Sequence, residues 1–338
     1  MTAHHTIGRY AVEELLGSGG MATVYAARRD DGLRVALKIL DNPHVHQCPV
    51  ARKRFQREAD VQQKLSHCPH ICGCYEMFVH EGRDVLVLAY LDGISLDKYL
   101  LHRTASYPEL IRWAQHMLTA LSAAHAMGVI HRDVKPSNIV ITQSGDAVLT
   151  DFGIAHTRNS RLTQFGTTLG TVCYMSPEQL CGKVSRASDV FSLGITLYEA
   201  ATGHLPFGDL TSEYEINRAI TDPAPFPSVL SRAPQLDHAF ADFIDKCLQK
   251  DSTKRFPTAA HALQALQGCR GAEPRIQIPK PGGGFASLQD ILRDIGKAFK
   301  DLFRPGTPPD SPVPHARLMV YVNGRLHSEY EVHTPEYI

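Results

Sequence analysis

The chain lacks any excess of charge of one sign. Lys plus Arg and Asp plus Glu number 35 each among 338 residues, so the basic footprint of a nucleic-acid binder is missing. It also lacks a run of about 18 apolar residues, so no membrane span is expected. Met1 to Arg9 has no apolar core of the kind a signal peptide needs, and cytoplasmic residence is the expectation. Cysteine is scarce, with 8 residues in the chain, too few for a disulfide scaffold of this length. Three of them, with two histidines, fall in His67-Cys68-Pro69-His70-Ile71-Cys72-Gly73-Cys74. The ligand types there suit zinc or copper, but the spacing is not C-x-x-C and no second pair follows. The alternation of Cys72 and Cys74 equally suits a buried strand, in which free cysteine behaves as a small hydrophobe.

A hydrophobic content of 43 % fits a globular protein, and the length allows two domains or one large domain with an appendage. The most chemically loaded stretch is His131-Arg132-Asp133-Val134-Lys135-Pro136-Ser137-Asn138. It gathers a carboxylate able to accept a proton, an ammonium able to hold an anion, and an amide oxygen able to ligate a hard cation. Pro136 argues against a helix through it, so these groups are expected on a loop between apolar flanks. Taken alone, the stretch reads equally well as a basic surface turn.

The rest of the chain decides between those readings. Tyr10 to Leu16 alternates like a strand, Gly17-Ser18-Gly19-Gly20-Met21-Ala22 interrupts it, and Thr23 to Arg29 resumes it. A glycine-rich hairpin of this kind lets backbone N–H groups approach phosphate oxygens. A dinucleotide-binding fold would need a helix after the glycines, and a β-type run with Val24 and Tyr25 follows instead. Lys38 stands alone in the apolar run Leu33 to Leu40, which is costly unless it is paired or reaches solvent. Glu58, beside the apolar stripe of a predicted helix over Ala51–Leu65, is a candidate partner. Strands are expected near Cys72–Val79, Asp84–Tyr90, Ile139–Thr142 and Ala147–Thr150. A long amphipathic helix from Tyr107, ended by Gly128, leads into the His131 stretch. Asp151-Phe152-Gly153 then places another acid at the end of a strand.

The order of these elements resembles that of eukaryotic-type protein Ser/Thr kinases, particularly the bacterial members. It runs from the glycine-rich loop through Val35-Ala36-Leu37-Lys38, Glu58, His131-Arg132-Asp133, Asn138, Asp151-Phe152-Gly153 and Ser176-Pro177-Glu178 to Asp189 and Arg255. The resemblance implies an α+β, bilobal fold, with an antiparallel β N-lobe over residues 10–91 and a mainly helical C-lobe over 92–268. It implies that Leu16, Gly17, Ser18, Gly19, Gly20, Met21, Ala22, Thr23 and Val24 cover ATP. Ala36 and Val140 would sandwich the adenine, and the backbone of Ala89 and Leu91 would read its edge. Lys38, held by Glu58, would bind phosphate; Asn138 and Asp151 would hold Mg²⁺; Asp133 would take the substrate proton; and Lys135 would offset phosphoryl charge. Lys135 two residues after the acid, with Thr171 before Ser176-Pro177-Glu178, resembles the Ser/Thr-specific kinases. Glu178 and Arg255 would form a structural ion pair, and Asp189 would brace the catalytic-loop backbone.

Arg132 before the catalytic acid implies regulation by a phosphate on the loop 154–170, with Thr163 and Thr167 the preferred autophosphorylation sites. The departures from the family pattern are Ala22, Ala89 and Val134, and none removes a reacting group. The alternatives are a catalytically silent scaffold that binds partners, or a small-molecule kinase with the same fold. Outside residues 10–268, residues 1–9 form a short tail and 269–285 a Pro/Gly linker. Residues 286–338 form a small segment with a predicted amphipathic helix over Ser287–Phe303 and a hairpin around Asn323-Gly324. The balanced charges of that helix argue against an electrostatic membrane anchor. The segment is expected to dock on the kinase domain, to meet a protein partner, or to dimerise the chain.

Overall fold

The computed structural model describes residues 6–19, 22–42, 48–152, 172–269, 316–322 and 325–332. The chain divides into two compact units, Met1–Pro274 and Arg275–Ile338.

The first unit opens with strands β1 (Thr6–Ile7), β2 (Tyr10–Ser18), β3 (Thr23–Arg29) and β4 (Arg34–Ile39), followed by helix α1 (Pro49–Leu65) and strands β5 (Cys74–His80) and β6 (Arg83–Ala89). These strands form one antiparallel sheet in the order β1-β2-β3-β4-β6-β5. The period-two alternation of β4 divides its side chains between two cores. Val35, Leu37 and Ile39 join Ile7, Tyr10, Ala27, Val85 and Val87 on one face. On the other face Ala36 and Leu40 pack with Ala22, Leu86 and Leu88 and with Ala51, Phe55 and Ala59 of α1. Lys38, between Ala36 and Leu40, therefore shares the face that meets α1. Register shifts in β2 between Val12 and Glu14 and between Leu15 and Gly17 interrupt its ladder with β3.

The chain continues through β7 (Gly93–Ser95), α2 (Leu96–Leu100) and α3 (Tyr107–Ala126), then β8 (Ile139–Thr142) and β9 (Ala147–Leu149). Ser106 and Glu109 form a reciprocal capping box at the start of α3. Leu110, Trp113, Ala114, Met117, Leu118, Leu121 and Ala124 make its buried face, as the helical spacing predicts. Gly128 follows its end with φ +74°, the left-handed conformation that glycine adopts without strain. Strands β7, β8 and β9 form a small antiparallel sheet.

Helices α4 (Pro177–Leu180), α5 (Arg186–Thr202), α6 (Glu213–Thr221), α7 (His238–Cys247) and α8 (Ala259–Cys269) complete the unit. α5 is buried along most of its length and packs against α3, α7 and α8. Gly194 permits the approach of α7, because a Cβ there would lie 2.8 Å from that of Cys247.

Element identities follow the sequence expectation, and the ends differ by one or two residues. Where the sequence argues for a loop at Pro136, a single 3-10 turn spans Pro136–Asn138. Proline is tolerated in a first turn, where its missing N–H would have no partner in any case. Cys72 precedes β5, and both it and Cys74 are buried free thiols in the α1-facing core. No group of three His, Cys, Asp or Glu side chains among the described residues is arranged to hold a metal. Burial pushes the Cys72 and Cys74 thiols up to about 12 and about 11, the behaviour of inert core cysteines.

In the second unit β10 (Ala316–Val322) and β11 (Arg325–Val332) pair antiparallel, with a register shift between Val320 and Tyr321. The turn residues Asn323 and Gly324, and the predicted helix 287–303, lie outside the described residues.

Candidate active site

Lys38 lies opposite Val24 of β3 and Leu86 of β6. Its ammonium Nζ donates to Glu58 Oε1 at 2.8 Å and to Asp151 Oδ1 at 2.7 Å. Burial by itself would depress the Lys38 ammonium, but the Asp151 and Glu58 carboxylates outweigh that and hold it well above the usual lysine range. Lys38 is therefore a fixed cation shared between α1 and the segment after β9. The Glu58 pairing is the one the sequence suggests; the direct bond to Asp151 is an addition from the structure. Asp151 has a left-handed backbone with φ +51°, a strained conformation for a non-glycine residue.

The second group of residues comes from the loop between α3 and β8. Asn138 Nδ2 donates to Asp133 Oδ2 at 2.9 Å and to the Asp133 carbonyl at 2.8 Å. Lys135 Nζ reaches Asp133 Oδ2 at 2.9 Å. Two donors thus converge on one carboxylate oxygen and fix the plane of the carboxyl group. Because Asn138 donates through its amide nitrogen, its amide oxygen is the atom left for a cation. With the Asp151 carboxylate it makes an oxygen donor pair suited to a hard divalent ion.

The loop backbone is pinned from below. Asp189 of α5 is wholly buried and accepts from the amides of His131 and Arg132, at 2.9 and 2.8 Å through separate oxygens. His125 of α3 adds a contact to Asp189 Oδ2 at 2.8 Å. His131 is buried, its Nε2 lies 3.0 Å from the Thr150 carbonyl, and its ring meets Phe152 at 4.7 Å between centroids. Burial lowers the His131 imidazole below its usual range, favouring the neutral ring.

A shallow apolar region adjoins Lys38. Ala36 and Ala22 belong to the α1-facing core, and Val24, Ala89 and Leu91 pack at its edge. From the other lobe that edge is met by Val148, a residue the sequence argument did not single out. Val140, its half-buried cross-strand partner, lies on the same face of the small sheet. The Ala89 carbonyl lies 3.6 Å from the Cys72 Sγ. Gly17 and Ser18 end β2 opposite Val24 and Thr23, and the Gly19 amide donates to the Ala22 carbonyl at 3.0 Å, closing the glycine turn. Leu16 is exposed at the rim. Gly20, Met21, Thr163 and Thr167 lie outside the described residues, as does the rest of the segment 153–171.

Glu178 and Arg255 meet as a bidentate pair, with both contacts at 2.7 Å. Three functional contacts were not legible in the sequence: Lys38 to Asp151, His125 to Asp189, and Gln179 Nε2 to the Arg132 carbonyl at 2.7 Å. They join residues 47 to 113 positions apart, beyond the reach of any local spacing.

Residues 10–266 match the family model described as the protein kinase domain. The chain is 38 % identical over 255 residues to the serine/threonine-protein kinase PknD of Mycobacterium tuberculosis, an alignment covering 75 % of this chain and 38 % of that protein. It is 34 % identical over 259 residues to the serine/threonine-protein kinase PrkC of Bacillus subtilis, covering 75 % and 39 % respectively. A crystal structure of the PknI kinase domain of M. tuberculosis superposes with a TM-score of 0.63 at 25 % identity, covering 80 % of this chain and 100 % of that one. The chain spans about two-fifths of the length of the curated relatives it matches.

Proposed function

The chain belongs to the protein kinase family, and from that premise we propose that it transfers the γ-phosphoryl group of ATP to serine and threonine hydroxyls of proteins. The observation that carries this reading is the junction at Lys38, where one ammonium meets Glu58 from α1 and Asp151 from the other lobe. Such a junction holds a cation ready for phosphate oxygens and sets an acid beside it.

In this mechanism Leu16 to Val24 cover the nucleotide, with backbone amides of the segment meeting phosphate oxygens. Ala36 and Val140 enclose the adenine, and the Ala89 carbonyl and Leu91 amide read its edge. Lys38 holds the α- and β-phosphates. Asn138 and Asp151 are the residues that would hold Mg²⁺, which when bound offsets charge on the phosphate oxygens. Asp133 orients the protein hydroxyl and accepts its proton as the new O–P bond forms and the bond from the γ-phosphorus to the bridging oxygen of ADP breaks. Lys135, already on the Asp133 carboxylate, offsets negative charge on the transferring group. Asn138 keeps that carboxylate in a single orientation.

Regulation by autophosphorylation at Thr163 or Thr167, with Arg132 receiving the phosphate, belongs to the same reading. Mass spectrometry of active protein finding the loop unmodified would remove it. The kinase domain is placed at residues 10–268 and the chain in the cytoplasm. All eight cysteines are free thiols, as a reducing compartment favours, and among the described residues no helix is long and apolar enough to cross a membrane. Residues 286–338 are assigned to docking or to a protein partner, since a two-stranded sheet such as β10–β11 is marginal by itself. The test is incubation with ATP labelled at the γ-phosphate and a generic protein substrate. Label on serine and threonine, absent with Asp133→Ala, is the expected result. Label that persists in that variant rejects Asp133 as the proton acceptor, and none with either protein rejects phosphate transfer and favours a silent scaffold.

A further inference from the structure

The peptide links around the catalytic acid are held at their amides and at a carbonyl, and the Asp133 amide itself donates to His131 Nδ1 at 3.3 Å. Asp189 takes the amides of His131 and Arg132. The carbonyl of Arg132, which belongs to the very peptide that carries the Asp133 amide, accepts from Gln179 Nε2 at 2.7 Å. Gln179 is 8 % exposed and sits on α4, directly after Ser176-Pro177-Glu178. Its own amide is tied to Ser176 Oγ at 3.3 Å and its carbonyl accepts from Gly182, so its backbone is fixed at both ends. Arg132 itself has φ +70°, a left-handed conformation that a side-chain-bearing residue keeps only when its surroundings impose it.

We propose that Gln179 is a positioning residue for Asp133: its amide holds the Arg132–Asp133 peptide in the strained orientation that aims the catalytic acid, and so ties the segment 172–180 to the catalytic loop. Asp189 fixes the amides preceding the acid and Gln179 fixes the carbonyl, so rotation of that peptide must break the Gln179 bond. Asn138 and Lys135 then set the carboxylate on a backbone that is already fixed. A carboxylate in place of Gln179 has no proton to donate to the Arg132 carbonyl, whereas a neutral carboxylic acid does.

The inference rests on the phosphotransfer reading, and its test separates the two. Gln179→Met keeps the volume and removes the donor; Gln179→Glu keeps the shape and makes the donor depend on pH. For Gln179→Met the expected result is a fall in kcat of about tenfold, the scale of one buried hydrogen bond, with KM for ATP little changed. Amide hydrogen exchange at residues 131–134 speeds up while the remainder of α3 and α5 stays protected. For Gln179→Glu the activity relative to wild type climbs as pH falls, as the introduced side chain regains its proton. A purely structural glutamine would lower the unfolding midpoint and reduce activity only in proportion to folded protein, with no pH-dependent recovery. Unchanged exchange at residues 131–134 overturns the proposal, as does an activity loss of that proportional kind. The exchange comparison needs no catalysis, so a wild type without Asp133-dependent transfer rejects the phosphotransfer reading while the exchange result still decides the role of Gln179.

Discussion

Lys38 and Arg255 are both cations paired with glutamates, yet their surroundings differ in one respect. Arg255 is fully buried, and all five of its N–H donors are consumed. They go to both oxygens of Glu178 and to the carbonyls of Gln249, Ala187 and Lys250, while the ring of Phe191 lies 4.8 Å from its guanidinium. Nothing is left to offer a ligand. Lys38 keeps its two acids, but one of them, Asp151, has a side chain 43 % exposed. A saturated, sealed pair serves the fold; a pair with one member at the surface can exchange its contacts when a ligand arrives. Burial and pairing alone do not separate a functional cation from a structural one. The exposure of the partner does.

That comparison predicts different failures. Arg255→Met strands the Glu178 carboxylate and should lower unfolding stability by about 3–5 kcal/mol. Urea unfolding should show it as a large drop in midpoint; a midpoint near wild type would mean the pair is replaceable. Lys38→Met should act chiefly on turnover, lowering phosphate transfer by roughly 10²–10³-fold, the scale of losing one preorganised electrostatic contact. The sharp form of the comparison is that Lys38→Met loses less stability than Arg255→Met in parallel melts. The reverse ranking would break it.

A smaller effect belongs to the contact between the α1–β5 connection and α3. His70 and His116 stack with ring centroids 3.8 Å apart. Asp146 and Arg112 stand beside His116, whose Nδ1 accepts from the Ala147 amide. Burial first, then His70, pulls the His116 imidazole from 6.5 down to about 4. His70 is lowered as well, chiefly by burial. Between those limits the unfolded chain binds more protons than the folded one, so stability falls as pH drops from 6.5 toward 4. His116→Phe, which keeps an aromatic ring, should flatten that slope even if the lost Ala147 bond costs about 1 kcal/mol at neutral pH. An unchanged slope would exclude His116 as its source.

The fold and the separate reacting groups were legible in the sequence because each rests on a short pattern. A lone lysine in an apolar run and an acid beside a helical stripe pointed to the Lys38–Glu58 pair, helical spacing set the buried face of α3, and the His131 stretch carried its acid, amine and amide within six positions. What the sequence withheld are contacts made across the fold. The Lys38 bond to Asp151 depends on how the two lobes meet, and the His125 bond to Asp189 and the Gln179 bond to the loop depend on where α3, α5 and α4 pass one another. Pro136 gave a correct prohibition on a long helix and no hint of the 3-10 turn, since a proline can begin such a turn as readily as it blocks a helix. Val148 escaped because its role comes from its pairing with Val140 across two strands.

The most direct test of the account separates binding from transfer at one residue. Asp133→Ala, titrated with Mg²⁺ and ATP and then followed through a single turnover with protein substrate, should bind nucleotide with affinity close to wild type. Its transfer should be slower by about 10²–10⁴-fold, the usual contribution of a positioned general base. Transfer at the wild-type rate with binding intact would contradict the assignment of Asp133, and with it the chemistry assigned to the loop.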